Sequence, residues 1–239
     1  MPNYVKHLMT FGGDPNEIKK LTDSILTQKP DSVNYFDFNK VIPLPESLQI
    51  ESGTLSEMGE AVAKFLDEGD DTLLMDAATW KKYEHPQQFI DYLKEDSQLE
   101  KYLNIGRICI ENRKKYGHAD WYNWCIDNWG TKWNSCDSRC DEYDSITFET
   151  AWSSPYNVIK KLSEKFPTIT INVKYADEDI GNNCGEYEFL NGEEIVFRDL
   201  DPHEICELWG LDVKEFFPEI YRDDRINDLL KNDNNNSSL

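Results

Sequence analysis

Twice along this chain an alternating run gives way to a helical period and then to alternation again. Residues 3–11 read as the first strand. Asp14-Pro15-Asn16-Glu17 then supplies an acceptor for free N–H groups, a proline at the first helical position and a glutamate three after the cap. Ile18, Leu21, Ile25 and Leu26 follow at helical spacing, which predicts an amphipathic helix over 15–28. Val33-Asn34-Tyr35-Phe36-Asp37-Phe38 reads as a strand, ended by Ile42-Pro43-Leu44-Pro45 because proline donates nothing to a ladder. In the second instance Ile146 and Phe148 alternate with Thr147 and Glu149, and Ser154-Pro155 opens a helix carrying Ile159, Leu162 and Phe166. Ile169, Ile171, Val173 and Tyr175 then alternate with Thr170, Asn172 and Lys174. Two such split units predict an α+β fold, a ferredoxin-like split βαβ antiparallel sheet with helices on one face. Tyr187 and Phe189, then Ile195 and Phe197, add a hairpin around Asn191-Gly192.

Between the units lies a large helical insertion, at about 46–143. Thr54-x-x-Glu57 has the form of a capping box ahead of Met58, Val62, Phe65 and Leu66. A further helix runs from Pro86 toward Tyr116, with a break near Asp96 and Gly117 as its C-terminal cap. After residue 198, Asp201-Pro202-His203-Glu204 caps a helix in an acidic C-terminal extension, 199–230. The tail 231–239 is too polar to pack and reads as disordered.

The formal charge of the 239-residue chain is −21. It is concentrated as −10 over residues 46–100 and −7 over 199–239. A field of this sign repels phosphate backbones and attracts basic surfaces, so direct nucleic-acid binding is not expected. No apolar run approaches the ~20 residues of a membrane span. The start Met1-Pro2-Asn3-Tyr4-Val5-Lys6 lacks a signal-peptide pattern, so a cytoplasmic protein with free thiols is expected. Cys136-x-x-x-Cys140 resembles half of a zinc site, with His118 and Cys125 as further ligands, but the spacing is loose and no metal or cofactor is expected.

Four of the seven tryptophans fall between Trp121 and Trp133. On a helix Trp121, Trp124 and Cys125 share a face that Asn128 and Trp129 continue. These rings either pack, each burying ~150–250 Å2, or form a binding site. The candidate site comprises Trp121, Trp124, Asn128, Trp129, Lys132, Trp133 and Trp152. Lys132 and Arg113-Lys114-Lys115 are thin support for stacking of single-stranded nucleic acid. His118, Asp120 and Asp127 are acid–base candidates, yet no nucleophile elbow, metal triad or phosphate loop accompanies them. Asp120 is better explained as the N-cap of a helix beginning at Trp121. Asp177-Glu178-Asp179 with Gly181-Asn182-Asn183 offers carboxylates to a cation but does not match a calcium loop, and reads as a solvated turn. No catalytic residue is assigned.

Several of these blocks carry a resemblance. Met1-Pro2-Asn3, Asp37-Phe38-Asn39-Lys40-Val41-Ile42-Pro43-Leu44-Pro45-Glu46, Tyr116-Gly117, Asp120-Trp121-Tyr122, Asn128-Trp129-Gly130-Thr131-Lys132-Trp133, Thr150-Ala151-Trp152-Ser153 and Tyr175-Ala176-Asp177-Glu178 resemble the YubB-type ferredoxin-like domain proteins. The likeness runs from residue 1 to about residue 190. Members often carry Trp-Cys or Trp-Val after Pro-Asn, where this chain has Tyr4-Val5. The resemblance implies the fold and an origin on plasmids, phages or prophages. It implies no activity and no catalytic residues.

Charge and resemblance together suggest a non-enzymatic acidic interaction protein that binds a host protein with a basic surface. Glu57, Glu60, Asp67, Glu68, Asp70 and Asp71, with Asp76 beyond them, lie close in sequence with only Lys64 to offset them. On one face they would present carboxylates at the ~7 Å separation of phosphates along a strand, adjusted from the per-strand rise. Such a surface would occlude the nucleic-acid site of a host defence enzyme. The alternatives are a small-molecule-binding or enzymatic domain with an aromatic pocket around Trp121–Trp133, and an accessory protein in plasmid maintenance.

Overall fold

A computed structural model describes residues 2–28, 34–76, 85–218 and 220. They fall into two compact units, Met1–Ile42 with Gly130–Leu239, and Pro43–Trp129. The first unit opens with β1 (Tyr4–Gly12), α1 (Pro15–Ile25), β2 (Leu26–Gln28) and β3 (Asn34–Phe36). The second holds α2 (Thr54–Glu68), α3 (Thr72–Asp76), α4 (Pro86–Glu95), α5 (Leu99–Tyr116) and α6 (Trp121–Trp129). The first then resumes with β4 (Cys136–Glu142), β5 (Ser145–Ala151), α7 (Tyr156–Lys165) and β6 (Thr170–Asp177). It continues with β7 (Cys184–Leu190), β8 (Glu193–Arg198), α8 (Pro202–Trp209) and α9 (Val213–Phe216).

In the sheet unit six strands lie in the order β4-β5-β1-β6-β7-β8, each pair antiparallel. β5 and β6 flank β1 and are joined through α7, which makes one split βαβ unit. β1 and β4 flank β5 in the same manner and make the other. This is the ferredoxin-like arrangement. Its second strand is β4, however, and not the stretch 33–38. Asn34–Phe36 pairs instead with Leu26–Gln28 in a separate two-stranded ribbon. Helix α1 accordingly stops at Ile25 rather than at 28, and Leu26 is already extended. The insertion likewise ends before about 143, since Cys136–Glu142 is a strand of the sheet. The expected strand ends at Phe36, and Phe38 opens a 3-10 turn, Phe38–Lys40, capped by Asp37.

Alternation places Val5, His7, Met9 and Phe11 of β1 on the buried face, with Ile146 and Phe148, Ile171 and Val173, and Tyr187 and Phe189. Ile18, Leu21 and Ile25 of α1 and Val158, Ile159 and Leu162 of α7 are the buried positions of the two helices. Asp14 caps α1 by accepting from the N–H groups of Asn16 (2.9 Å) and Glu17 (3.2 Å). Asn191 and Gly192 take φ of 53° and 76°, as the tight hairpin turn between β7 and β8 requires. On the opposite face α8 seals a small apolar cluster of Ala176, Leu200 and Ile205, joined by Trp209. Lys174 (2.7 Å) and Arg198 (2.7 and 2.8 Å) converge there on Glu204. Those two cations hold the Glu204 carboxyl far below the usual range. The start of the acidic extension is thus docked helix. Residues 219, 221–230 and the tail 231–239 lie outside the described residues.

The helical unit is organised by the contact of α2 with α5. A Cβ at Gly106 would fall inside the backbone carbonyl of Gly59, so the two helices touch through glycine. Met58, Ala61, Val62, Leu74, Phe89, Ile90 and Leu93 form the core beside this crossing. The capping box expected at Thr54 is not formed. Gly53, at φ 95°, holds the cap position, Thr54 is the first helical residue and no side chain caps it. Ser97, at φ 56°, marks the break between α4 and α5, and Gly117, at φ 80°, ends α5. Among the described residues no helix is long and apolar enough to cross a membrane.

Two predictions follow from this packing. Gly106→Ala forces the α2–α5 pair apart and is expected to cost about 2–3 kcal/mol in urea unfolding, the upper part of the ordinary range for an overpacked contact. A wild-type midpoint would show that the crossing has room. The second concerns His7, which is fully buried and stacked on Phe148 at 4.5 Å between centroids and 2° between planes. Neither of its ring nitrogens has a hydrogen-bond partner among the described residues. Burial lowers its pKa from 6.5 to about 3, and nearby backbone of Phe148 and Val5 offsets this only in part. The unfolded chain therefore takes up a proton that the folded chain refuses. The stability at stake is complete above 6.5 and is lost as pH falls from there toward 3. His7→Leu should remove about 2 kcal/mol of the stability difference between pH 8 and pH 5, at ~1.4 kcal/mol per pH unit. Denaturant midpoints at the two pH values measure it.

Candidate functional site

The end of the sheet where β1 begins gathers four separate stretches of chain. Tyr4 lies opposite Ala151, and Val5 opposite Asp177, so residues 2–3, 130–133, 152–155 and 177–183 come together there. The N–H of Trp152 donates to the Asn3 carbonyl (2.9 Å), and that of Glu178 to the Tyr4 carbonyl (2.9 Å). Thr131 Oγ1 donates to the Ala151 carbonyl (2.7 Å), and Ser153 Oγ to that of Gly130. Asp177 is buried at the centre of this latch. Its Oδ1 accepts from Asn3 Nδ2 (3.2 Å) and the N–H of Asp179 (2.9 Å), and its Oδ2 accepts from Asn183 Nδ2 (3.1 Å). Asn183 Nδ2 also reaches the Trp152 carbonyl (2.9 Å). Asp177, read from the sequence as part of a solvated turn, is instead buried, and its carboxylate is occupied by the fold itself.

Trp152 is the residue that the latch holds in an unfavourable state. Its φ is 73°, a left-handed conformation that bulky residues avoid, at a cost of order 1–3 kcal/mol. Its side chain is nevertheless 41% exposed. Lys132 Nζ sits 4.6 Å from the centroid of this indole and 4.8 Å from that of Trp133. Gly130, at φ 85°, makes the turn that brings Lys132 there, and a Cβ on it would stand 3.2 Å from the Ser154 carbonyl oxygen. Two indoles and one ammonium are therefore presented together on a rigid support.

The other members of the aromatic group belong to the helical unit, because the boundary falls between Trp129 and Gly130. Trp124 and Trp129 are buried and meet edge to face at 5.8 Å. Trp121 packs edge to face on Tyr122 at 5.6 Å, and Asn128 Nδ2 donates to the Trp124 carbonyl (2.9 Å). Trp124 and Trp129 are thus core. Asp120 caps α6, accepting from the N–H of Tyr122 (3.0 Å) and from Ser56 Oγ (2.7 Å). His118 Nε2 and Asp127 Oδ2 are paired at 3.3 Å. Burial pushes the thiols of Cys109 and Cys125 up to about 11 and about 12, so they remain protonated. Cys136 Sγ donates to the Glu149 carbonyl (3.5 Å). Among the described residues no three His, Cys, Asp or Glu side chains are grouped for a metal.

The acidic row on α2 is not continuous. Glu60 is buried rather than displayed, because Arg113 (2.8 Å) and Lys64 (3.5 Å) draw its carboxylate inward. Asp67 is gripped by both Nε and a terminal nitrogen of Arg107 (2.8 and 2.7 Å), which holds its carboxyl below the usual range. Asp70 accepts from the N–H of Thr72 (3.0 Å). Glu57, Glu68, Asp70 and Asp71 remain exposed, and the side chain of Asp76 lies outside the described residues. Sequence reasoning missed Asn3, Asp177 and Asn183 as supports of Trp152. They are polar residues in loops, and only the pairing of β1 with β5 and β6 shows that they meet.

Residues 128–215 match the family model described as "Ferredoxin-like domain in Api92-like protein". This span includes Lys132, Trp133 and Trp152 and the strands β4 to β8. Among solved structures, a protein api92 from Yersinia pseudotuberculosis is similar at 12% identity and a TM-score of 0.42, with 84% of this chain and 99% of that one covered. No curated protein matches.

The strain at position 152 can be measured. Trp152→Gly and Trp152→Ala both remove the indole, but only glycine adopts positive φ freely. Trp152→Gly should be the more stable of the two by about 1 kcal/mol. Equal denaturant midpoints would mean that the latch carries no strain.

Proposed function

We propose that this protein is a non-enzymatic binding module for a basic protein partner, with Trp152 as its anchor. The observation that carries this reading is the exposed, left-handed Trp152 with an ammonium against its ring. An indole held outward at a cost in backbone strain is suited to a contact outside the chain. The approach of Lys132 to Trp152 and Trp133 is also the geometry that a partner's arginine or lysine would adopt on the same rings. Tryptophan is enriched among residues that dominate binding energy. The charge of −21 supplies long-range attraction for a basic surface and repulsion of phosphate. Glu57, Glu68, Asp70 and Asp71 contribute to that field.

The finer form of the reading is a YubB-type protein of a phage, prophage or plasmid, acting in the host cytoplasm. Its target would be a host defence or nucleic-acid-binding enzyme whose basic site it covers. This form rests on the motif resemblance and the charge. With Glu60 and Asp67 engaged, it needs no regular row of phosphate-spaced carboxylates. Steering by scattered acids and anchoring by one indole suffice.

The test is capture from host lysate by the full chain at low and high salt. Capture of one basic protein is expected, weakened steeply by salt and roughly tenfold or more by Trp152→Ala, the loss typical of a binding hot spot. Lys132→Ala should leave capture intact or strengthen it, because it clears the rings. Capture indifferent to both salt and Trp152→Ala would refute the reading. Salt-insensitive quenching of tryptophan fluorescence by a metabolite would favour a small-molecule site instead.

A further inference from the structure

We propose that the outer edge of β8 takes up an extended basic segment of a partner as an added strand. This is a second surface, and it does not depend on Trp152. β8 is the last strand in the sheet order and has no strand beyond it among the described residues. Every residue of β8 is exposed. Ile195 is 50%, Val196 37% and Phe197 64% exposed. Three consecutive apolar residues of high strand propensity on an outer strand form a template for pairing, which proteins ordinarily blunt. The register sets Phe197 beside Tyr187 and Val196 beside Glu188, so apolar side chains project on both faces of the edge.

Charge decides what the edge accepts. Glu193 and Glu194 precede the apolar residues, Glu194 accepting from Tyr156 Oη (2.7 Å), and Glu188 lies on the neighbouring strand. Arg198 is the only basic residue of β8, and it is already paired with Glu186 and Glu204. A second copy of this chain is therefore a poor occupant. Antiparallel pairing about Val196 would set Glu193 opposite Asp199 of the copy, and Glu194 opposite an arginine already held by two carboxylates. Two chains of charge −21 also repel. The register shift opposite Glu188 and Phe189 bulges the strand near Ile195, a further device against regular self-pairing. A segment alternating lysine or arginine with apolar residues meets none of the charge obstacles. Its backbone would complete the ladder, its cations would lie on the face of Glu188 and Glu193, and its apolar side chains would lie along Phe197 on the other face.

The experiment uses the full chain and a short fluorescent peptide of alternating lysine and valine, followed by polarisation. Binding to the wild type is expected. Methylating alternate backbone nitrogens of the peptide keeps its charge and removes pairing, and should weaken binding roughly tenfold or more, the equivalent of one or two main-chain hydrogen bonds. The double variant Ile195→Lys, Phe197→Lys should lose binding to a similar extent while keeping the wild-type melting temperature, because both side chains are exposed. Trp152→Ala should bind the peptide as the wild type does, which separates this edge from the tryptophan anchor. Equal binding of the methylated peptide, equal binding by the double variant, or no binding by the folded wild type would each overturn the proposal. A concentration-dependent dimer that disappears in the double variant would overturn it in favour of self-pairing.

Discussion

The pairing of β1 along both of its edges is the constraint on which the sheet unit rests. Its residues bond to β5 on one side and β6 on the other, so a segment near the start of the chain is fixed between two segments more than 130 residues later. Both split units share this strand. Without it β5 and β6 have no common neighbour and α7 has no complete surface to cover. The long interruption between α1 and β4 is tolerable because loop-closure entropy grows only logarithmically with length. Where the chain leaves and re-enters the sheet unit, Asp37 and Asn134 tie the two ends. Asn134 Nδ2 donates to Asp37 Oδ1 (2.7 Å), and Asn134 Oδ1 accepts from the N–H of Phe38 (2.9 Å). Burial pushes the Asp37 carboxyl up, but hydrogen bonds from Asn134, Asn39 and Thr27 outweigh it and hold it below the usual range.

The same strand builds the candidate site. Because Tyr4 lies opposite Ala151 and Val5 opposite Asp177, the residues just beyond those pairs must meet at one end of the sheet. Asn3, Trp152 and Glu178 occupy those positions. A buried carboxylate at Asp177 then collects three donors from two stretches of chain, Asn3 before β1 and Asp179 and Asn183 between β6 and β7. Each such charge-assisted bond is worth more than a neutral one, ~1.5–3 kcal/mol. Together they are of the size needed to hold a bulky residue at positive φ. The motif blocks that are far apart in sequence are thus largely parts of one latch. The residues the latch leaves outward are Lys132 and Trp152, with Trp133 beside them.

Periodicity made most of the sheet legible in the sequence, and its failures have physical causes. β1, β5, β6 and β7 alternate because one of their faces is buried. β4 is an outer strand with two register shifts and Asp137 at φ 45°, so Cys136-Asp137-Ser138-Arg139-Cys140 carries no alternation to detect. Leu26 continues the apolar stripe of α1, and only the ribbon partner Phe36 shows that it has left the helix. Thr54-x-x-Glu57 has the composition of a capping box, yet Gly53 takes the cap position and the motif shifts inward by one residue. For the site, Lys132, Trp133 and Trp152 were nameable from residue type. That Trp124 and Trp129 are core residues of the other unit was not, because a unit boundary falls inside one continuous motif.

Net charge alone would have misled about the surface. Glu60, Asp177, Glu186 and Glu204 are all acids, yet each spends its oxygens on a neighbour within the fold. Their oxygens are engaged within the fold, while exposed acids stand on and just after α2 at Glu57, Glu68, Asp70 and Asp71, on α4 and α5 at Asp91, Glu95, Glu100 and Glu111, and on β8 at Glu193 and Glu194. Exposed carboxylates in water contribute little binding energy individually, since solvent and salt screen them. They bring a basic partner near and exclude an acidic one. Affinity has to come from apolar area, and two exposed apolar elements of the sheet unit offer it beside few competing cations, the indole of Trp152 and the row Ile195, Val196 and Phe197. An acidic chain that displays such residues is arranged to attract by charge and to hold by contact.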